Sequence, residues 1–312
     1  MNRRQLLTIA SAALAARPGR AASQVSPAQF RERLTGPICS APTVFRKDFS
    51  LDSAGFRKVL DTGVRSGCRV FTLTAGNNRY DRLAADEIRS LTRTFVEGVA
   101  GRGLTIAATG NWWTGEAVAY ARYAAELGAD AVQVMLPSAG DPDLLFEHFR
   151  AVAAVGPPSI VLHGQVPLPM LERLVRIDAV AAYKEEYPPL YSRDVFARFG
   201  GRLNIFAGGQ KGGFLAYRPY GMKAWYSTFS TFAPEVARRF AEAEAAGDEA
   251  AMVGVIQKYD VPFFRRWSHA FWRAVLEAQG IAGRWLRPPD KSATDQEVRE
   301  AAAFLKELGI GA

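Results

Sequence analysis

Short β-rich apolar runs alternate with amphipathic helical segments about eight times along the 312 residues, and no other feature of the chain constrains its fold as much. Strands are predicted near Ile38 to Val44, Arg69 to Thr74, Leu104 to Thr109, Ala131 to Leu136, Ser159 to His163, Ala179 to Lys184, Leu203 to Ala207 and Met222 to Ser227. Their β-branched and apolar content, without strict alternation, suits strands covered on both faces. Between them, Ser53 to Ser66, Ala84 to Val99, Thr114 to Leu127 and Pro142 to Val155 carry the helical period, with Gly67, Gly101, Gly128 and Gly156 as stops. Eight such units without an interrupting linker predict an α/β fold, a (β/α)8 TIM barrel rather than an open doubly wound sheet. After Pro234 the strands cease, and Pro234 to Ala246, Glu249 to Tyr259, Arg266 to Gln279 and Asp295 to Leu308 read as helices. This divides the chain into a barrel over 24–246 and a C-terminal helical segment over 247–312. The aromatic stripe Phe263, Phe264, Trp267, Phe271 and Trp272 has helical spacing and reads as packing or an oligomer contact, not a cofactor box.

The first residues read differently. Arg3-Arg4 precedes a short apolar stretch, Thr8 to Ala16, and a small-residue patch at Ala21-Ala22-Ser23, a pattern that resembles a twin-arginine export signal over 1–23. The alternative is a frayed basic arm or a misplaced start. The apolar run is far shorter than the roughly 20 residues that span a bilayer, so no membrane anchor is predicted and the expected location is periplasmic, with the cytoplasm as the alternative. Removing Arg3, Arg4, Arg17 and Arg20 takes the formal charge from +8 to 8 − 4 = +4, too weak to argue for nucleic acid. Cys39 falls in the first predicted strand and Cys68 in the approach to the second, and both read as buried thiols.

In a barrel the active site lies where the strands end at the C-terminal rim. The polar or small residues closing the predicted strands are Thr43, Thr74, Thr109, His163, Lys184, Gly208 and Ser227. Lys184 stands out because it follows Ala179-Val180-Ala181-Ala182-Tyr183, and an apolar setting would free the neutral amine that attacks a carbonyl. The alternative is a lysine ion-paired at a strand end, with Glu185 or Glu186 as partner.

Seven short motifs, in register along the chain, carry a family resemblance. Leu73-Thr74-Ala75-Gly76-Asn77 stands where the family has G-S/T-T-G-E, and Ala107-Ala108-Thr109-Gly110-Asn111-Trp112-Trp113-Thr114 where it has A-G-x-G-x-x-S/T. Leu127-Gly128-Ala129-Asp130-Ala131-Val132 is close to G-A-D-A-V, His163-Gly164-Gln165-Val166-Pro167 to Y-N-x-P with one residue inserted, and Tyr183-Lys184-Glu185 to I-K-D/E. Ile205-Phe206-Ala207-Gly208-Gly209-Gln210 and the stretch from Gly221 to Pro234 complete the set. Over roughly Gly36 to Gly254 the chain resembles the dihydrodipicolinate synthase / N-acetylneuraminate lyase family of class I aldolase-type barrels.

The resemblance implies that Lys184 forms a Schiff base with a 2-oxo acid or a 2-keto-3-deoxy sugar acid, and that similar proteins are homo-oligomers, dimers or tetramers. It implies a tyrosine over the imine, and that position is His163 here. A histidine can do general acid and base work; equally it can be a buried ring satisfying a backbone group. Thr74 keeps the family's first hydroxyl as proton relay or carboxylate contact, with a helix-capping hydroxyl as the alternative. The second hydroxyl is replaced by Ala75 and the acidic residue by Asn77, although backbone amides beside Gly76 could still hold a carboxylate. Thr109, Gly208 and Ser227 complete the expected substrate-binding set. Pro137-Ser138-Ala139 replaces the family's tyrosine pair, and the arginine after the Y-N-x-P proline is missing from Leu168-Pro169-Met170. Both losses argue against dihydrodipicolinate synthesis.

Trp112, Trp113, Gln165, Gln210 and Lys211 fall near the rim and could line a sugar-acid pocket. No metal cluster, phosphate loop or dinucleotide fingerprint is present, so neither metal nor cofactor is expected, and His148 and His269 read as structural. The leading expectation is a lyase in which the protonated imine of Lys184 acts as electron sink while Thr74 and His163 move protons. The second is a barrel that binds a carbonyl or acidic ligand without turnover, motivated by the lost tyrosine and glutamate positions.

Overall fold

A computed structural model describes residues 25–156 and 158–311 of the chain; the proposed export segment over 1–23 lies outside them. The strands are β1 (Gly36–Ser40), β2 (Val70–Thr72), β3 (Leu104–Ala108), β4 (Ala131–Met135), β5 (Ser159–His163), β6 (Val180–Glu185), β7 (Asn204–Ala207) and β8 (Ala224–Tyr226). They pair in parallel in sequence order and close into a barrel, with Gly36 opposite Ala224 and Ile38 opposite Tyr226 at the seam. Helices follow the strands on the outside, as the alternating pattern predicts. Gly128 ends the helix Thr114–Leu127 at φ 83°, a backbone angle that favours glycine.

Side chains alternate across the barrel wall. On β6 an irregularity in the pairing with β5 puts both Ala181 and Ala182 in the inner cluster, and beyond it Tyr183 packs in the outer layer while Ala182 shares the inner cluster with Val161 of β5, Ala131 of β4 and Phe206 of β7. With a period of two, Lys184, His163 and Gln133 therefore face the lumen two residues further along their strands. β5 and β6 place His163 directly opposite Lys184, and β4 places Met135 opposite His163.

The floor of the barrel is closed by a helix absent from the sequence reading, Pro27–Arg33. Seven residues are too few for a clear helical period, but a reciprocal Ser26–Gln29 capping box starts the turn. Its Phe30, with the following Leu34, is wholly buried against the inner cluster. Burying two such side chains contributes about 1.5–3 kcal/mol each. Asn204 Nδ2 then donates to the carbonyls of Arg31 and Leu34 and ties the plug to β7.

Two strands, β1 and β2, end two or more residues earlier than the sequence suggests, and one residue accounts for both. The buried Asn78 side chain donates to the Ala41 carbonyl at 2.8 Å and accepts the Thr74 N–H at 2.7 Å. The Leu73 N–H still donates to the Ile106 carbonyl of β3 at 2.9 Å, but the Ala41 carbonyl and the Thr74 N–H are held by the Asn78 side chain.

After Pro234 the chain is helical as expected: Pro234–Ala245 closes the barrel, and the C-terminal segment follows with Glu249–Val255, a π-turn at Ile256–Asp260, Val261–Arg265, His269–Ala278 and Asp295–Glu307. The aromatic stripe packs: Phe263 meets Phe229 and Phe232 at ring distances of 5.1 and 5.4 Å. Lys211 is fully buried in an ion pair with Asp260 at 2.5 Å, so it fastens the C-terminal segment to the barrel and does not line a pocket as the sequence suggested. Cys39 and Cys68 are free and buried, and burial pushes the Cys39 thiol up to about 12. Among the described residues no helix is long and apolar enough to cross a membrane.

Candidate active site

Lys184 reaches into the mouth of the barrel, almost fully buried. The apolar setting expected for it is not what surrounds it. Its Nζ donates to Glu186 Oε2 at 2.8 Å and lies 3.3 Å from His163 Nε2, with the Tyr226 ring 5.6 Å away. His163 Nε2 lies 3.0 Å from the same Glu186 oxygen. Residues 182, 184 and 186 share one face by the alternation of an extended chain, which brings Glu186 over the lysine. Glu185 turns the other way and accepts the Tyr187 N–H at 2.7 Å. Of the two acidic partners read from the sequence, Glu186 is the one engaged.

The ring of His163 is fixed from both sides. Gln133 Nε2 lies 3.3 Å from its Nδ1. Its Nε2 faces both Glu186 Oε2 and Lys184 Nζ. Burial lowers the His163 pKa, the charge of Lys184 lowers it further, and Glu186 offsets part of this, so the ring is neutral near pH 7. Burial pulls the Glu186 carboxyl up, but the His163 hydrogen bond and the Lys184 charge outweigh that and hold it at about 2. The site thus contains one carboxylate shared by an amine and a neutral imidazole.

Gly208 makes room for this arrangement. A Cβ built at that position would overlap the Glu186 carboxylate, so the glycine of the strand-seven turn is a space requirement of the site.

The remaining predicted residues lie around the rim but touch neither Lys184 nor His163 by hydrogen bond among the described residues. Thr74 Oγ1 accepts the Asn77 N–H at 3.3 Å, a turn-capping contact, and Asn77 Nδ2 donates to Ser40 Oγ at 2.9 Å. Thr109 Oγ1 accepts the Met135 N–H at 3.0 Å. Ser227 Oγ is buried without a partner among the described residues, and so is the Tyr226 hydroxyl. Burial pushes the Tyr226 phenol well above its ordinary range, reinforced by the Glu186 charge, so it stays a neutral donor.

Ala75 and Gly76 border a cavity of about 550 Å³ at the mouth, with Gly110, Trp112 and Met135 beside them. Trp112 is held by stacking on Tyr80 at 6.0 Å. Trp113 is 76% exposed and lies outside this wall. Gln210 accepts the Thr228 N–H at 3.0 Å and braces the turn next to Ser227. His269, read from the sequence as structural, lines the cavity from the C-terminal segment. Glu186, Gln133 and Tyr226 were not among the predicted functional residues; counting in twos from Ala182, Ala131 and Ala224 would have placed all three on the lumen side.

The chain matches the dihydrodipicolinate synthetase family over residues 33–308. A probable 5-dehydro-4-deoxyglucarate dehydratase 2 of Streptomyces avermitilis is 31% identical, over 90% of this chain and 89% of its own length. A probable 5-dehydro-4-deoxyglucarate dehydratase 1 of the same organism is 27% identical, over 87% and 92%. The crystal structure of N-acetylneuraminate lyase from Mycoplasma synoviae shares the fold with a TM-score of 0.80 at 18% identity, covering 88% of this chain and 98% of that one.

Proposed function

The chain belongs to the dihydrodipicolinate synthetase family, and from that membership we propose that it is a hydro-lyase that removes water from a 2-keto-3-deoxy sugar acid through a Schiff base on Lys184. The observation that carries the reading is the shared Glu186 oxygen, 2.8 Å from Lys184 Nζ and 3.0 Å from His163 Nε2. An amine must lose a proton before it attacks a carbonyl, and the Glu186–His163 pair is in place to accept it. The amine adds to the ketone carbon, and the resulting carbinolamine loses water to give an iminium. A proton leaves the adjacent carbon, and its electron pair moves into the iminium to form an enamine. The enamine then expels the hydroxyl of the next carbon, protonated as it goes, as water. Hydrolysis of the unsaturated iminium releases the product and restores the amine.

His163 is the neutral base nearest the imine nitrogen, at 3.3 Å, and takes the part the family gives to tyrosine. The amides of Ala75 and Gly76 suit the carboxylate beside the ketone. Dehydration is favoured over aldol cleavage by the relatives named as 5-dehydro-4-deoxyglucarate dehydratases. Dihydrodipicolinate synthesis is disfavoured by Leu168-Pro169-Met170, where Met170 is packed into the core and no arginine is offered. The proposal extends to a homo-oligomer, dimer or tetramer, and to twin-arginine export directed by Arg3-Arg4.

Borohydride trapping with pyruvate and a panel of 2-keto-3-deoxy sugar acids, read by peptide mass, tests the reading. An adduct on the Lys184 peptide with turnover of at least one sugar acid is expected, and Lys184→Arg should abolish trapping. No adduct at Lys184 would sink it. An adduct without product release would favour the barrel that binds without turnover.

A further inference from the structure

The cavity at the barrel mouth is lined by Ala75 and Gly76 and, among charged and titratable groups, by Arg79, Asp81 and His269. Arg79 sits in the left-handed region at φ 51°. Its guanidinium donates to Asp81 at 3.0 Å and pairs with Asp290 at 2.8 Å. Both carboxylates are shared, because Arg82 pairs with the same Asp81 and Asp290.

Behind this lining, Arg273 is fully buried and donates to the carbonyls of Thr43 and Asn77 at 3.0 and 3.2 Å. Among the described residues it has no carboxylate within ion-pair distance, and its Nη1 has no partner. Burial lowers its pKa to about 9, and the Arg79 charge adds to the effect. Three guanidinium groups therefore face two carboxylates, and a buried positive charge is left over, which is costly unless an anion completes it. His269 Nδ1 is likewise buried and unpartnered. Burial, Arg273 and Arg79 hold that ring neutral, at about 4. A neutral imidazole between two cations can offer one N–H without adding charge.

We propose that Arg79 and His269 form a second carboxylate subsite, backed by the buried charge of Arg273, so that the substrate is a keto diacid. This rests on the imine chemistry proposed for Lys184: one carboxylate, beside the ketone, meets the Ala75–Gly76 amides, and the distal carboxylate meets the Arg79–His269 wall. Arg273 positions the wall by holding the Asn77 carbonyl. The C-terminal segment thereby contributes to substrate choice, since Arg273 and His269 both lie on its helix His269–Ala278.

Two comparisons test the subsite separately from the imine. In turnover, the diacid 5-dehydro-4-deoxyglucarate should be preferred over the monoacid 2-keto-3-deoxygluconate, and Arg79→Gln should lower kcat/KM for the diacid on the order of 10- to 100-fold, mainly through KM, with the monoacid nearly unchanged. In calorimetry, D-glucarate should bind the wild type at least about tenfold tighter than D-gluconate. Neither compound has a ketone, so this arm stands even if trapping at Lys184 fails. His269→Ala, which removes no hydrogen bond formed in the apo protein, should narrow the glucarate preference while pyruvate trapping persists. Equal affinity for glucarate and gluconate in the wild type, or an Arg79→Gln defect equal for diacid and monoacid, would overturn the proposal.

Discussion

Gly208→Ala separates the chemistry of the site from the stability of the fold. The added Cβ would overlap Glu186 Oε1 and its neighbouring atoms, which are the free end of a flexible side chain and not backbone. Gly208 is not among the positive-φ glycines, so an alanine fits its backbone without strain. The carboxylate therefore swings away and the barrel stays as it is. Glu186 would lose its contacts to Lys184 at 2.8 Å and to His163 at 3.0 Å. Charge-assisted hydrogen bonds contribute about 1.5–3 kcal/mol each when buried. The Glu186 side chain is 37% exposed, so screening reduces the stability loss to about 1–2 kcal/mol for the pair.

That corresponds to a Tm decrease of only a few degrees, on the order of 2–4 °C per kcal/mol or less for a chain of this size. The kinetic loss is expected to be much larger, because a positioned proton acceptor contributes on the order of 10²- to 10⁴-fold. Gly208→Ala should therefore lower kcat/KM for a keto-deoxy sugar acid about 100-fold. The rate of borohydride-trappable adduct formation should fall in parallel. Glu186→Gln should have the same effect, and the double variant should be no worse than Glu186→Gln alone. If the two defects multiply, Gly208 acts through something other than Glu186 and the reasoning fails.

Two further outcomes follow from the charges. The Glu186 carboxyl is held at about 2 against an ordinary 4.5, so the stability it supplies is complete above pH 4.5 and is lost as the pH falls towards 2. The unfolding free-energy gap between wild type and Glu186→Gln, no more than about 1–2 kcal/mol at this exposure, should close over that window; a gap that persists to pH 2 would contradict the assignment. Lys211 and Asp260 are both buried, so Lys211→Met should cost about 3–5 kcal/mol by stranding the carboxylate. Lys211→Met with Asp260→Leu should recover most of that loss in chemical denaturation; if the double variant is as unstable as the single one, the pair is not what joins the C-terminal segment to the barrel.

How much the sequence disclosed follows from how local each determinant is. Eight parallel strands are legible because each is a continuous apolar run between helices, and covering both faces of a strand leaves that mark in composition. Their ends are less legible. β1 and β2 stop where the Asn78 side chain captures the Ala41 carbonyl and the Thr74 N–H, and nothing in the apolar pattern announces a side chain acting across that distance. Glu186 could be seen only as a possible partner of Lys184, because the rim was read from one residue per strand. The face shared by Ala182, Lys184 and Glu186 is nevertheless a consequence of extended geometry alone. The Arg79–His269 wall has no such local mark, since its members come from the strand-two loop and the C-terminal segment and meet only after the barrel has closed.

The same distinction explains how the proposed imine chemistry can be kept without the tyrosine relay. A phenol over an imine must both give and take a proton, which requires its pKa to be brought down towards the working pH. In this barrel the phenol whose ring lies 5.6 Å from Lys184, Tyr226, is driven the other way by burial and, after that, by the Glu186 charge. The role proposed for His163 needs no such adjustment, because a neutral imidazole already accepts protons near pH 7. What it needs is orientation, and that is supplied by Gln133 on one ring nitrogen and Glu186 on the other. Replacing tyrosine by histidine at the end of β5 thus moves the burden from tuning an acid to holding a ring. Gln133, Glu186 and the open space at Gly208 are the residues that bear it. On this argument a bare His163→Tyr reversion should not restore a family-type relay, since the carboxylate that orients the ring would oppose ionisation of the phenol.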